Sequence, residues 1–124
     1  EKVSLKTVES MILEYSTNPN DIKAVIGPSI CIDKFECDSD VFDAFKGAFN
    51  DSFEVLSSKY IYTKGKKYHV YETLLEAGLL NENIYIDDRC TFKNENLFFS
   101  HRRDKGDTGV MAAVISVASE NNVL

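Results

Sequence analysis

Apolar residues at Leu5, Val8, Met11, Ile12 and Tyr15 recur at steps of three and four along the start of the chain, the spacing that stacks side chains on one face of an α-helix. The pattern predicts an amphipathic helix with Ser4 as N-cap, closed by the polar run STNPND. Ile22 to Ile26 then reads as a short buried strand, halted by Gly27-Pro28. Asp38 and Ser39 are suited to cap a second helix, with Val41, Phe42, Phe45 and Phe49 on its apolar face. KYIYTKGKKYHV, from Lys59 to Val70, predicts a hairpin turning at Lys64-Gly65, and YETLLEAG a short helix with Gly78 just past its C-terminus. Further strands are expected at Ile84–Asp87, near Leu97–Ser100, and at Val110–Val117. In the last, Val114, Ile115 and Val117 favour strand over the helix that Met111, Ala112 and Ala113 favour. Helices and strands alternate, which predicts an α/β (α+β) class: a single layered domain with a mixed sheet and flanking helices.

Composition narrows the function classes. The chain has 124 residues, 44% hydrophobic and 27% charged, with no Trp, enough for one buried core without disulfides or a structural metal. The formal charge of −6, from 20 acidic and 14 basic residues, argues against nucleic acid as a partner, because neutralising phosphates needs a basic face. No apolar stretch approaches the roughly 20 residues that cross a bilayer, and EKVSLKTVES has no signal-peptide apolar core. A cytoplasmic protein with no membrane partner is the expectation. Cys31, Cys37 and Cys90 are odd in number and form no CxxC, which predicts reduced thiols.

Candidate chemistry gathers in two places. In GPSICIDKFEC, the turn after the first strand exposes backbone N–H groups and Ser29 to an anion, and Glu36 offers an acid, a base or an acceptor if it lies in a cleft. In FFSHRRDKGDTG, His101 precedes two arginines. Adjacent residues on a strand point to opposite faces, so either Arg102 or Arg103 turns inward or to a rim and needs Asp87, Asp88, Asp104 or a ligand as partner. Cys31 and Cys37 read as core residues, and His69 as a side chain on a hairpin face. Cys90 and His101 match none of the compact zinc-ligand spacings, so no metal ligand is assigned.

GPSICIDKFE, the acid-capped helix, KYHV, LLEAG and CTFKNENLFFSHRRDKGDTGVMAA, in that order, resemble the laccase-domain family, once described as multicopper polyphenol oxidases and now regarded as purine nucleoside phosphorylases with adenosine deaminase activity. The resemblance implies a laccase-domain fold related to cysteine-hydrolase-like toxin folds. It implies one zinc or copper ion held by a His, a Cys and a His that precede the Gly-Pro-Ser segment. None of those ligand pieces occurs here, so residues 1–124 are expected to be the C-terminal portion of such a domain and inactive alone. Between Val70 and Leu74 the chain is shorter than family members.

The implied reaction is phosphorolysis of inosine, adenosine or guanosine to the base and ribose 1-phosphate, with phosphate and purine nucleoside as partners. By motif position, Ser29, Arg102 and Arg103 would bind substrate, and Glu36 and His101 would be catalytic. Two other readings stay open: a cysteine hydrolase pairing Cys31 or Cys90 with His101, and a non-catalytic fragment that self-associates through an exposed apolar patch. Multicopper oxidation needs several His-rich sites, and the chain has two histidines.

Overall fold

The structure, a computed structural model, describes residues 2–49, 53–56, 59–62 and 66–118. The side chains of Phe45 and Phe49 and the expected turn at Lys64-Gly65 lie outside the described residues. In chain order the elements are α1 (Val3–Tyr15), β1 (Ala24–Ile26), β2 (Glu36–Cys37), α2 (Ser39–Phe49), β3 (Phe53–Leu56), β4 (Lys59–Tyr62), α3 (Lys66–Glu76) and β5 (Ile84–Ile86). The class is mixed α and β, as the alternation predicted, but the parallel and antiparallel pairings fall in separate sheets. β1 and β5 pair in parallel with Ala24 opposite Ile84, and β2-β4-β3 is antiparallel.

α1 buries Val8, as its spacing predicted, and leaves Ile12 and Tyr15 exposed. Ser4 is not its cap. The helix already includes Val3, and Lys2, with φ of 50°, occupies the cap position without a side-chain capping bond, its ammonium reaching Glu76 Oε2 at 3.2 Å instead. α1 packs across α3, and Val8, Ile26, Leu74, Leu79 and Ile84 form the main core, with Ile22, Ala24, Val70, Tyr71 and Ala77 around it. A smaller core joins Phe35 and Cys37 to Ile30 and Val41.

The hairpin expected over Lys59–Val70 is corrected. Its first half is β4, which takes β3 and β2 as partners, whereas its second half is the start of α3. Tyr68, Val70 and Tyr71 are good strand residues, but Val70, Leu74 and Ala77 repeat at helical spacing and all pack on the main core, and burial decides between the two periods. α3 closes as Gly78 predicted. Gly78 has φ of 103°, its N–H bonds Leu75 O at 3.0 Å, and the Leu79 N–H reaches back to Leu74 O at 3.2 Å, a Schellman closure with Leu74 and Leu79 in apolar contact. A Cβ at Gly78 would also meet Pro19 Cγ at 3.1 Å.

The strands expected at Leu97–Ser100 and Val110–Val117 do not form. Around the first, backbone groups close local turns: Asn94 N–H to Cys90 O, Leu97 and Phe98 N–H to Asn94 O, and Asp104 N–H to Ser100 O. The second run has no ladder partner among the described residues, and Val110 and Val117 are 92% and 98% exposed. β-branched residues favour a strand only where a neighbouring strand and a buried face receive them. No helix among the described residues is long and apolar enough to cross a membrane.

Leu74 sits between α1, β1 and β5 in the main core, so Leu74→Ala should lower unfolding free energy by about 2–4 kcal/mol in urea titrations. Leu75→Ala, one position round the helix and 37% exposed, should cost less than about 1 kcal/mol.

Candidate active site

Because β1 and β5 run parallel, the chain leaving each strand emerges at the same end. The pairing continues past the strands: Asp87 N–H donates to Ile26 O at 2.9 Å, Ser29 bridges Cys90, and Thr91 N–H donates to Ser29 O at 3.1 Å. Beyond that bridge the segment from Cys31 to Glu36 lies against the segment from Cys90 to Arg102, joined almost residue by residue. The Cys31 N–H donates to Cys90 Sγ at 3.2 Å, and the two sulfurs are 2.7 Å apart. Lys93 pairs with Asp33 at 2.8 Å. The Lys34 ammonium lies 5.3 Å from the Phe92 ring centre, and the Arg102 guanidinium 5.7 Å from that of Phe35. Arg102 Nη1 donates to Glu36 O at 2.8 Å.

The two arginines are separated by their environment, although by turns and not by the faces of a strand. Arg103 is the inward one, with its side chain 16% exposed. Its Nε and Nη2 form a fork on the Asp104 carboxylate, both at 3.0 Å, and its remaining bonds go to the carbonyls of Thr91, Phe92 and Phe98 at 3.0, 3.3 and 3.0 Å. A guanidinium has five N–H donors, so the chain itself occupies this one. Arg103 holds Asp104 below the usual carboxylate range. Asp87, another candidate partner, binds Arg89 instead through Nε–Oδ1 at 3.0 Å and Nη2–Oδ2 at 2.6 Å, and that hydrogen bonding brings its pKa down to about 2.

Arg102 faces open space. It stands with Phe35 in the wall between two cavities. One, of about 520 Å³, is also lined by Asp33, Glu36, Asp38 and Phe92; the other, of about 280 Å³, by Ile30, Phe99, Ser100, His101 and Met111. Arg102, Glu36 and His101 are thus brought to one surface. Ser29 is not. It lies behind, in the bridge to Cys90, and its buried Oγ has no hydrogen-bond partner among the described residues. Sequence reasoning missed Phe35, Phe92, Asp33 and Lys93. Only their adjacency to Glu36 and Cys90 marked them, because the contacts that unite them come from the β1–β5 register.

A family model described as multi-copper polyphenol oxidoreductase laccase matches residues 1–118. The chain belongs to this family. Relatives named purine nucleoside phosphorylase include one from Staphylococcus epidermidis, 34% identical over 115 residues, covering 87% of this chain and 41% of its own length. Another is YlmD from Bacillus subtilis, 33% identical, covering 94% of this chain and 42% of its own. The crystal structure titled as Bacillus licheniformis hypothetical protein YfiH superposes with a TM-score of 0.76 at 32% identity, over 87% of this chain and 42% of that one. The chain therefore spans about two fifths of the length of the curated relatives it matches.

The zinc or copper implied for this laccase family has no ligand set here: among the described residues no three His, Cys, Asp or Glu side chains gather where they could hold a metal. His69 is buried at 2% in α3, with Nδ1 3.9 Å from Glu72 Oε2, and the ring of His101 packs over Gly106. The nucleophile–base pairing of a cysteine hydrolase is also missing, since no hydrogen bond among the described residues joins His101 to Cys31 or Cys90, which contact each other.

Hydrogen bonds from Lys93 first, then from Cys31, bring the Asp33 carboxyl from its ordinary 3.8 to about 2. A depressed folded-state pKa stabilises the fold above the unfolded value and ceases to do so as pH falls through the folded one. The contribution of Asp33 should therefore be complete above about pH 4 and fade toward pH 2. NMR should place its midpoint near 2, and Lys93→Ala should return it toward about 3.9. For the arginines, Arg103→Lys keeps the charge and loses the fork, and should lower the thermal midpoint, whereas Arg102→Lys, which gives up one exposed bond to the Glu36 carbonyl, should lower it less.

Proposed function

We propose that this surface is the wall of a purine nucleoside phosphorylase site, in which nucleoside spans the two cavities and inorganic phosphate binds at Arg102. The observation that carries the reading is the position of Arg102 beside Phe35 in the partition the cavities share. In phosphorolysis a phosphate oxygen attacks ribose C1′, the bond from C1′ to the base breaks with its electron pair, and the base leaves with a proton. Attack thus occurs at the junction of sugar and base, and the anion must be held there. The carboxylates of Asp33, Glu36 and Asp38 outnumber the Lys34 ammonium along the larger cavity, so that it disfavours phosphate and offers acceptors to ribose hydroxyls. Ile30, Phe99 and Met111 make the smaller one a place for the flat apolar base. Phosphate is then left with the guanidinium between them, an interaction that suits its planar donors.

In this reading Arg102 holds and orients phosphate, Glu36 receives a ribose hydroxyl, and His101, at the rim of the smaller cavity, supplies a proton to the departing base. Arg103 acts through Arg102 by fixing the turn that carries it, in place of the direct substrate contact expected from its motif. Ser29 stands one layer back, as a positioning residue. The family's metal would have to be held by groups beyond the described residues, and no step is drawn through it. Deamination of adenosine, which the resemblance also implies, gains no support from these side chains.

Phosphate-dependent release of hypoxanthine from inosine is the test. Arg102→Met should lower kcat/KM by about a hundredfold or more, with a fall in the thermal midpoint smaller than that of Arg103→Lys. The 124-residue chain offers a separate readout: titration with inorganic phosphate should shift the Arg102 guanidinium NMR signals and leave those of Arg103 where they are. Hypoxanthine release that proceeds equally without phosphate would sink the proposal.

A further inference from the structure

Outside the arginine wall, one cluster of reactive groups has no part in the proposed reaction. Cys31 and Cys90 bring their sulfurs to 2.7 Å, closer than two non-bonded sulfurs pack and within an ångström of the roughly 2.05 Å of a disulfide. The approach is built by backbone. β1 and β5 are in parallel register, the Ser29–Cys90 bridge extends it, and the Cys31 N–H points at Cys90 Sγ. Cys37, in β2, is buried with Phe35 in the second core.

We propose that Cys31 and Cys90 are a redox-active dithiol that a hydroperoxide closes to a disulfide, covalently fastening the segment after β1 to the segment after β5 beneath the Arg102 wall. The two thiols are unequal. Burial first, then the hydrogen bond shared with Cys90, raises Cys31 to about 11. Burial also disfavours a Cys90 thiolate, but hydrogen bonds from Cys31 and from the backbone at Lys93, Cys31 and Phe92 outweigh it and lower its pKa. Cys90 is accordingly the nucleophile and Cys31, half-buried against 6% exposure for Cys90, the resolving thiol.

The Cys90 thiolate attacks one peroxide oxygen, the O–O bond breaks, and the leaving oxygen takes a proton, giving a sulfenic acid on Cys90. The Cys31 sulfur then attacks the Cys90 sulfur. The S–S bond forms, the S–O bond breaks, and hydroxide departs with the Cys31 proton as water. With hydrogen peroxide the pair loses two protons and two electrons, and the peroxide becomes two waters.

The test is peptide mapping without reduction, after the whole chain is treated with stoichiometric hydrogen peroxide and remaining thiols are alkylated. The expected product is one crosslinked peptide joining Cys31 and Cys90, lighter than its parts by two hydrogens, with Cys37 alkylated. Cys37→Ser should give the same crosslink. In Cys31→Ser the crosslink should vanish and, given a second equivalent of peroxide, Cys90 should proceed from sulfenic to sulfinic acid, the fate of a sulfenate without a resolving thiol. Full alkylation of Cys31 and Cys90 after peroxide treatment, or a crosslink that includes Cys37, overturns the proposal, as does a Cys90 that stays unoxidised in Cys31→Ser.

Discussion

The guanidinium of Arg103 is the interaction on which the site depends. The chain from Cys90 to Asp104 has no strand and no helix, so its backbone carbonyls lack the regular partners a ladder would supply. Arg103 reaches back to the carbonyls of Thr91, Phe92 and Phe98 and is itself neutralised by Asp104. An irregular segment becomes a fixed one by enclosing a charged side chain whose donors all find acceptors, the condition under which a half-buried charge is tolerated. Arg102 inherits its direction from this arrangement. With its neighbour anchored inward and the backbone turning at 100–106, it emerges on the opposite side, over Phe35.

The second constraint is the parallel pairing of β1 with β5. Parallel strands need a long crossover, here everything from Ile26 to Ile84, including α2, the antiparallel sheet and α3. In return the pairing places two loops at one sheet end, the usual location of ligand sites in open α/β folds. α3 strengthens that placement directly, since the Lys67 ammonium donates to the carbonyls of Asp87 and Arg89, just past β5. The core below and the loops above are thus braced by the same helix.

Much of the local structure was legible in the chain. Val8 at the centre of the α1 spacing, Gly78 at the end of α3 and the runs that became β1 and β5 are each specified by neighbours within a turn or two. The interactions that make the site are not of that kind. Cys31 meets Cys90, and Arg102 meets Phe35 and Glu36, only once β1 and β5 are in register, and a register between distant strands leaves no mark in either one alone. The hairpin misreading of Lys59–Val70 shows the same limit. Strand propensity at Tyr68 and Val70 was real, but the core offered by Ile26 and Ile84 was not visible locally. Val110–Val117 is the converse case, strand-like residues to which no described strand offers a partner. The motif around His101 marked the surface proposed here as the site but could not tell the inward Arg103 from the outward Arg102, because that division rests on carbonyls contributed by residues whose side chains carry no signal.

The seam between the two loops is made of unlike bonds laid side by side: a thiol pair, an ion pair, rings under cations, and a guanidinium on a carbonyl. Each answers to a different variable. Acid reaches Asp33, ionic strength screens Lys93, oxidants act on the sulfurs, and none of these disturbs the bond from Arg102 to the Glu36 carbonyl. No single change of medium opens the whole seam, and the loops can be loosened at one end while they remain clasped at the other.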